Sequence, residues 1–386
     1  VTTGGATDSF GLVGSVVDRQ FRVDAVVGEG GFAVVYKGWH LSLDQPIAIK
    51  ALKMPEAPDA GFQGTLLAKF REEAKLTYVL SQATLNIVRI IDFGATTAPS
   101  GAWVPFAVQE WLDGETLAQD LRRRREQGMR GRPLAEAMRI LEPAARALTI
   151  AHHRRVVHRD VKPGNIFLLA PASDAQGVTL KVLDFGIAKV IREGSLSGAA
   201  SAGMVSFTPQ YAAPEQIEPR YGPIWPWSDV YSLALVMTEL LTDRPAMEGE
   251  GLASLLGQVF DPQRRPTPRA RGALVPDAVE AVLARALSVD PRGRPADAGE
   301  LWAELVAASM PAPPTYGTPP PSSLQGVVQY GPSSPPYPGP PYAPHPVPGP
   351  TGPGAHRTAN VIATVVGVGL GLLVLLALAT WIVTRR

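Results

Sequence analysis

The stretch Val157-His158-Arg159-Asp160-Val161-Lys162-Pro163-Gly164-Asn165-Ile166 puts a carboxylate, a cation and a carboxamide on one short loop. Asp and Asn often cap loops, so a conformational role is the alternative for each residue alone. Downstream, Leu183-Asp184-Phe185-Gly186 closes a predicted strand. An Asp at such a point can ligate a hard cation such as Mg2+, and the Gly leaves the backbone free to turn. Upstream, Ile47-Ala48-Ile49-Lys50 sets a lysine in an otherwise apolar strand. That is costly unless an anion meets the ammonium; an edge-strand lysine facing solvent is the other reading. Glu73, on a predicted helix, can supply the counter-charge. Still further upstream, Gly28-Glu29-Gly30-Gly31-Phe32-Ala33-Val34-Val35 lies between two predicted strands. Its glycines allow a tight turn and close backbone approach to phosphate oxygens, although Gly-rich turns are common and the Gly-Lys-Ser/Thr ending of a Walker loop is absent.

Around these motifs the pattern changes along the chain. Val23–Val27, Val34–Gly38, Pro46–Leu52, Ile87–Ile91 and Phe106–Glu110 read as strands. Phe70–Leu80 has apolar residues at helical spacing. Beyond Gly114 the pattern becomes mostly helical, with an amphipathic helix at Leu134–His153, interrupted by Pro143, and a nearly all-apolar one at Asp229–Leu241. A sheet-rich front followed by a helical back predicts an α+β protein with two lobes.

The ordered set G-x-G-x-x-A-x-V, A-I-K, H-R-D-x-x-x-x-N, D-F-G and A-P-E (Ala213-Pro214-Glu215) resembles the eukaryotic-type (Hanks-type) Ser/Thr protein kinases, in particular the membrane-anchored kinases of bacteria. The resemblance covers 21–309 and implies the two-lobed protein-kinase fold: an N-lobe (21–111) of antiparallel sheet plus one helix, and a mainly helical C-lobe (112–309). It implies that Val27, Gly28, Gly30, Gly31, Val35, Ala48, Lys50, Glu110, Leu112 and Phe167 bind ATP. Glu110-Trp111-Leu112 would form the hinge, with Gln109 at the gatekeeper position. Lys50 would contact the α- and β-phosphates and pair with Glu73, with Glu72 as the adjacent alternative. Asp160 would accept or orient the substrate hydroxyl proton, and Lys162 would lie near the γ-phosphate. Asn165 and Asp184 would hold Mg2+, with Mn2+ as the alternative ion. Thr208 would link the peptide-docking segment to Asp160, Asp229 would anchor the catalytic loop, and Glu215 would pair with Arg294. His158 would pack structurally behind Phe185.

The sequence departs from the family pattern at Ala33 (the third glycine), Phe207, Ala234 and the polar Gln109. None of these removes a catalytic group. Ser195, Ser197, Ser201 and Ser206, between Gly186 and Ala213, are expected sites of autophosphorylation, with Arg159 available to pair the phosphate. The Arg122–Arg125 run reads as a solvated helix face, with an acidic partner as the alternative. Two rivals stand beside an active Ser/Thr kinase: a pseudokinase scaffold, and a small-molecule phosphotransferase of kinase-like fold.

Composition bounds what remains. The chain has 386 residues, no cysteine and a net charge of +1. Disulfide and thiol chemistry are excluded, and near-neutral charge argues against a nucleic-acid partner. Residues 1–20 read as an N-terminal extension. Seventeen of the 38 prolines fall within 311–353, so 310–358 reads as an extended Pro-rich linker. The 23 residues 361–383 carry no charge. As a helix they would span about 34 Å at ~1.5 Å per residue, enough to cross a ~30 Å hydrocarbon core. A tail, 384–386, follows. This reading expects a single-pass protein of the cytoplasmic (inner) membrane, touching lipid through 361–383, with the kinase domain facing the cytoplasm and any sensor beyond Arg386. No signal peptide is expected. Protein substrates bearing Ser/Thr and a homodimer for trans-autophosphorylation are the expected partners; Gly367 and Gly371 would allow close helix packing.

Overall fold

Alternation of apolar and polar residues builds the N-terminal sheet. In β2 (Phe21–Glu29), Phe21 and Val23 point into the core while Arg22 and Asp24 face solvent. Strands β1 (Val16–Val17), β2, β3 (Ala33–His40), β4 (Gln45–Leu52), β5 (Ile90–Thr97) and β6 (Trp103–Glu110) form one antiparallel sheet in the order β1-β2-β3-β4-β6-β5. One helix, α1 (Ala60–Ala83), belongs to this lobe. The structure, a computed structural model, describes residues 7–31, 33–54, 60–170, 179–185, 210–249 and 251–310, all within one compact unit, Val1–Thr315.

The C-terminal lobe is mainly helical. It contains α2 (Leu117–Glu126), α3 (Leu134–His153), α4 (Pro214–Ile217), α5 (Pro226–Thr242), α6 (Gly251–Phe260), α7 (Asp277–Ala286) and α8 (Ala298–Ser309). A small antiparallel sheet of β7 (Gly114–Thr116), β8 (Ile166–Leu169) and β9 (Leu180–Val182) lies beside them. Helix α5 is buried along almost its whole length, and α3 and α8 pack on it. Helix α3 runs through Pro143 without a break. The lost hydrogen bond there costs about 3 kcal/mol, offset by burial of Leu141, Ala144, Ala145, Ala147 and Leu148 on one face.

Several elements differ from expectation for identifiable reasons. Helix α1 starts ten residues before Phe70; Gly61 and Gly64 dilute the helical pattern there, so spacing alone does not show its first turns. The strand expected at Ile87–Ile91 starts at Ile90, and Ile87 instead makes an isolated parallel bridge to Val182. Strands β7, β8 and β9 are three or four residues long and show no readable alternation. Arg124 and Arg125 are half-buried rather than part of a solvated face: Arg124 pairs with Asp243 at 2.9 Å and Arg125 with Glu239, both carboxylates buried at the end of α5. Arg123 pairs with Glu115 and Asp120, and Arg122 alone of the four is exposed without an ion pair among the described residues. Residues 7–20 are joined to the lobe through β1 and the buried Leu12 and Val17.

Among the described residues no helix is long and apolar enough to cross a membrane. The apolar run 361–383, the Pro-rich segment after Met310, the tail, Thr208 and the four serines at 195, 197, 201 and 206 lie outside the described residues.

Candidate active site

Lys50 sits on β4, between β3 and β6, opposite Val35 on one side and Ala107 on the other. It is therefore on a central strand, which removes the edge-strand reading. Its ammonium meets the Asp184 carboxylate at 2.5 Å, with both side chains largely buried. Glu72 is exposed; for Glu73 only the backbone, within α1, is described.

The loop 157–166 is held from below by Asp229 of α5. The Asp229 carboxylate accepts the backbone N–H of His158 (2.7 Å) and of Arg159 (2.8 Å). It also accepts from His152, whose Nε2 lies 2.9 Å away. Nδ1 of His152 accepts the backbone N–H of Ala298, so Nε2 carries the ring proton. Burial pushes the Asp229 carboxyl up, but the bonds from His152 and His158 outweigh it and hold the group below the usual aspartate range. Arg159 adopts φ +69°, a left-handed conformation that a non-glycine residue holds only when its surroundings enforce it. Asp229 and Gln216, which donates to the Arg159 carbonyl at 2.7 Å, do so here.

Above this base the polar side chains converge. Asn165 donates through Nδ2 to the Asp160 carbonyl (2.8 Å) and carboxylate (2.9 Å). Lys162 reaches the same carboxylate at 2.7 Å. The Leu183 N–H donates to the Asn165 carbonyl, and the Leu183 carbonyl accepts from His158 Nε2 at 2.7 Å, so the two loops are stitched together. The His158 ring also packs on Phe185 with centroids 4.5 Å apart. Asp184 has φ +60°. Burial raises its carboxyl, while Lys50, and to a lesser degree His158 and Lys162, bring it below the ordinary value.

A cleft of about 430 Å3 opens between the lobes. Val27, Gly28, Val35, Ala48, Lys50, Glu110, Leu112 and Phe167 line it, with Gln109, Trp111 and Asp184. Gly30 and Gly31 do not; Gly30 donates to the Ala33 carbonyl and closes the turn. Val88, Gly114 and Thr116 also line the cleft and were not singled out from sequence; Leu183, which precedes Asp184 in its motif, lines it too. Nor was Lys181, which meets Glu110 at 2.6 Å and fixes the end of β6 to β9. A lysine inside the apolar Leu180–Val182 was the available signal.

The donor set fits a hard divalent cation. Asn165 spends its Nδ2 on Asp160, which leaves its amide oxygen as the donor, and Asp184 is held ionised. Among the described residues no cluster of three or more His, Cys, Asp and Glu occurs. Mg2+ is commonly held by one or two protein oxygens together with substrate phosphates.

The protein kinase domain family matches residues 21–306. The chain belongs to the protein kinase family. It is 34% identical over 306 residues to the serine/threonine-protein kinase pkn3 of Myxococcus xanthus, covering 78% of this chain and 52% of that one. Identity to PknB of Mycobacterium tuberculosis is 32% over 300 residues, covering 78% and 44%, and to PknL of the same species 33% over 313 residues, covering 80% and 71%. The chain thus spans about half the length of the first two relatives. The crystal structure of the M. tuberculosis PknI kinase domain aligns with a TM-score of 0.55 at 23% identity, covering 77% of this kinase chain and 99% of that one, a likeness of fold.

Proposed function

We propose that this kinase transfers the γ-phosphoryl group of ATP to Ser or Thr hydroxyls of protein substrates. The observation that carries the reading is that Lys50 meets Asp184 in the cleft while Asp160, Lys162 and Asn165 cluster on the adjoining loop, which the Leu183–Asn165 backbone bond ties to the Asp184 segment. The substrate hydroxyl oxygen attacks the γ-phosphorus as the bond to the bridging oxygen of ADP breaks, and the hydroxyl proton passes to the Asp160 carboxylate. Asn165 and Lys162 orient that carboxylate. Lys162 then lies where charge on the transferred group is met, and Lys50 steadies the α- and β-phosphates. When bound between Asn165 and Asp184, Mg2+ neutralises charge on the phosphoryl oxygens. Val27, Val35, Ala48 and Phe167 enclose the base, and the turn at Gly28–Gly31 covers the phosphates.

Autophosphorylation on one or more of Ser195, Ser197, Ser201 and Ser206 is part of this proposal. Among the described residues the Arg159 guanidinium has no ion-pair partner, which suits it to receive a phosphate. We further infer that 361–383 tethers the enzyme as a single-pass helix in the cytoplasmic membrane, with the catalytic unit on the ATP-containing side. The length of that uncharged run supports it.

Transfer of radiolabelled phosphate from MgATP to a generic protein substrate tests the activity. Asp160→Asn is expected to lower the rate by about 10^2–10^4-fold. Absence of transfer by the wild-type chain would favour a scaffold without turnover; transfer to aminoglycosides but not to protein would favour a small-molecule enzyme.

A further inference from the structure

The family match begins at residue 21, and residues 7–17 carry none of its motifs. They are nevertheless built into the lobe that holds the glycine-rich turn. Leu12 and Val17 are buried in its core, and Val16–Val17 pairs with β2. Two polar side chains then reach the hairpin that carries the turn. Asp8 accepts the hydroxyl of Tyr36 at 2.7 Å and the backbone N–H of Val13 at 2.8 Å. Tyr36 lies on β3 and is fully buried. Ser9 donates to Glu29 at 2.5 Å, and Lys53, just beyond β4, meets the same carboxylate at 2.6 Å.

Glu29 is the last residue of β2 and stands between Gly28 and Gly30 of the turn. The ladder below it is irregular: the register of β2 against β3 shifts between Val26 and Gly28. Such an irregularity weakens the hold of backbone pairing on the hairpin tip. The bonds from Ser9 and Lys53 act beyond it, and the bond from Asp8 acts on the opposite strand.

We propose that residues 7–17 form a strap that sets the glycine-rich turn in place, with Ser9 and Asp8 as positioning residues for binding the nucleotide's phosphates. The proposal rests on the reading of the cleft as an ATP site. A turn already held in place loses less freedom when its backbone closes on a phosphate. Ser9 acts through Glu29 on the turn that covers the phosphates, whereas the base lies between Val27, Val35, Ala48 and Phe167 deeper in the cleft, so its effect is expected on the triphosphate and not on the adenosine moiety.

The test uses the full 386-residue chain and isothermal titration with two probes, a non-hydrolysable ATP analogue with Mg2+ and adenosine. In Ser9→Ala, affinity for the analogue is expected to fall roughly fivefold, the effect of one partly exposed hydrogen bond to a charged group. Affinity for adenosine is expected to stay at the wild-type level, and Ser9→Thr to restore analogue binding. In turnover, KM for ATP rises while kcat stays within about twofold, as for an interaction that acts on binding rather than on chemistry. Equal analogue affinity in Ser9→Ala and wild type overturns the strap, as does a parallel loss for adenosine, which would mark general loosening of the lobe. Failure of the wild type to bind either probe overturns the ATP reading itself, and the strap with it.

Discussion

At the residue scale, one carboxylate does most to shape the site without touching substrate. Asp229 is buried and accepts two backbone N–H groups and a histidine. Its folded-state pKa is depressed, so its contribution to stability is fully present above the ordinary aspartate value of ~3.9 and is lost as pH falls through the lower folded value. Acid unfolding followed by circular dichroism is expected to show a shallower loss of stability below about pH 4 in Asp229→Asn than in wild type. Glu215 and Arg294 form a second buried unit, a bidentate pair at 2.8 and 3.0 Å with no solvent exposure. Ser228 donates to Glu215, and Arg294 donates further to the Trp227, Ser288 and Val289 carbonyls. Removing one partner leaves an uncompensated charge, so Glu215→Ala is expected to cost about 3–5 kcal/mol in denaturant unfolding. An unchanged midpoint would refute this. The sequence showed this pair only through a family resemblance: Glu215 and Arg294 are 79 positions apart, and no local pattern marks two such residues as partners.

At the scale of elements, close backbone approach decides what substitution a connection tolerates. Gly131 precedes α3 in a segment where the Arg132 N–H donates to the Leu240 carbonyl. A Cβ at Gly131 would stand 1.9 Å from the Leu241 carbonyl oxygen, which cannot move without unwinding the end of α5. Gly131→Ala is expected to destabilise the fold by about 1–3 kcal/mol, the usual range for forced overpacking, read as a lowered urea midpoint. Helices with a clear apolar stripe, such as α3, were legible from spacing despite Pro143. The first ten residues of α1 were not, because small and glycine residues carry little periodic signal. The arginines of α2 misled for a related reason. Composition reports that a face is charged, but whether water or a buried carboxylate meets it depends on where α5 ends.

At the scale of the whole molecule, the proposed membrane tether makes a separate prediction. The full chain is expected to remain in the membrane pellet through high salt and alkaline carbonate, and a chain ending at Met310 to be released. Recovery of the full chain in the soluble fraction would count against the tether. By itself the sequence determined the chemistry of the loops. Asp160, Lys162 and Asn165 lie within six positions of one another, so few conformations separate them and their grouping survives without knowledge of the fold. It likewise determined the uncharged length of 361–383. Only the tertiary structure decided that Lys50 meets Asp184, that Glu110 is fixed by Lys181 71 positions away, and that residues 7–17 strap the glycine-rich turn. Such pairs are made by the packing of strands and helices from distant parts of the chain. The entropy of closing those loops is met by burial spread over the whole core, which no local pattern of residues encodes.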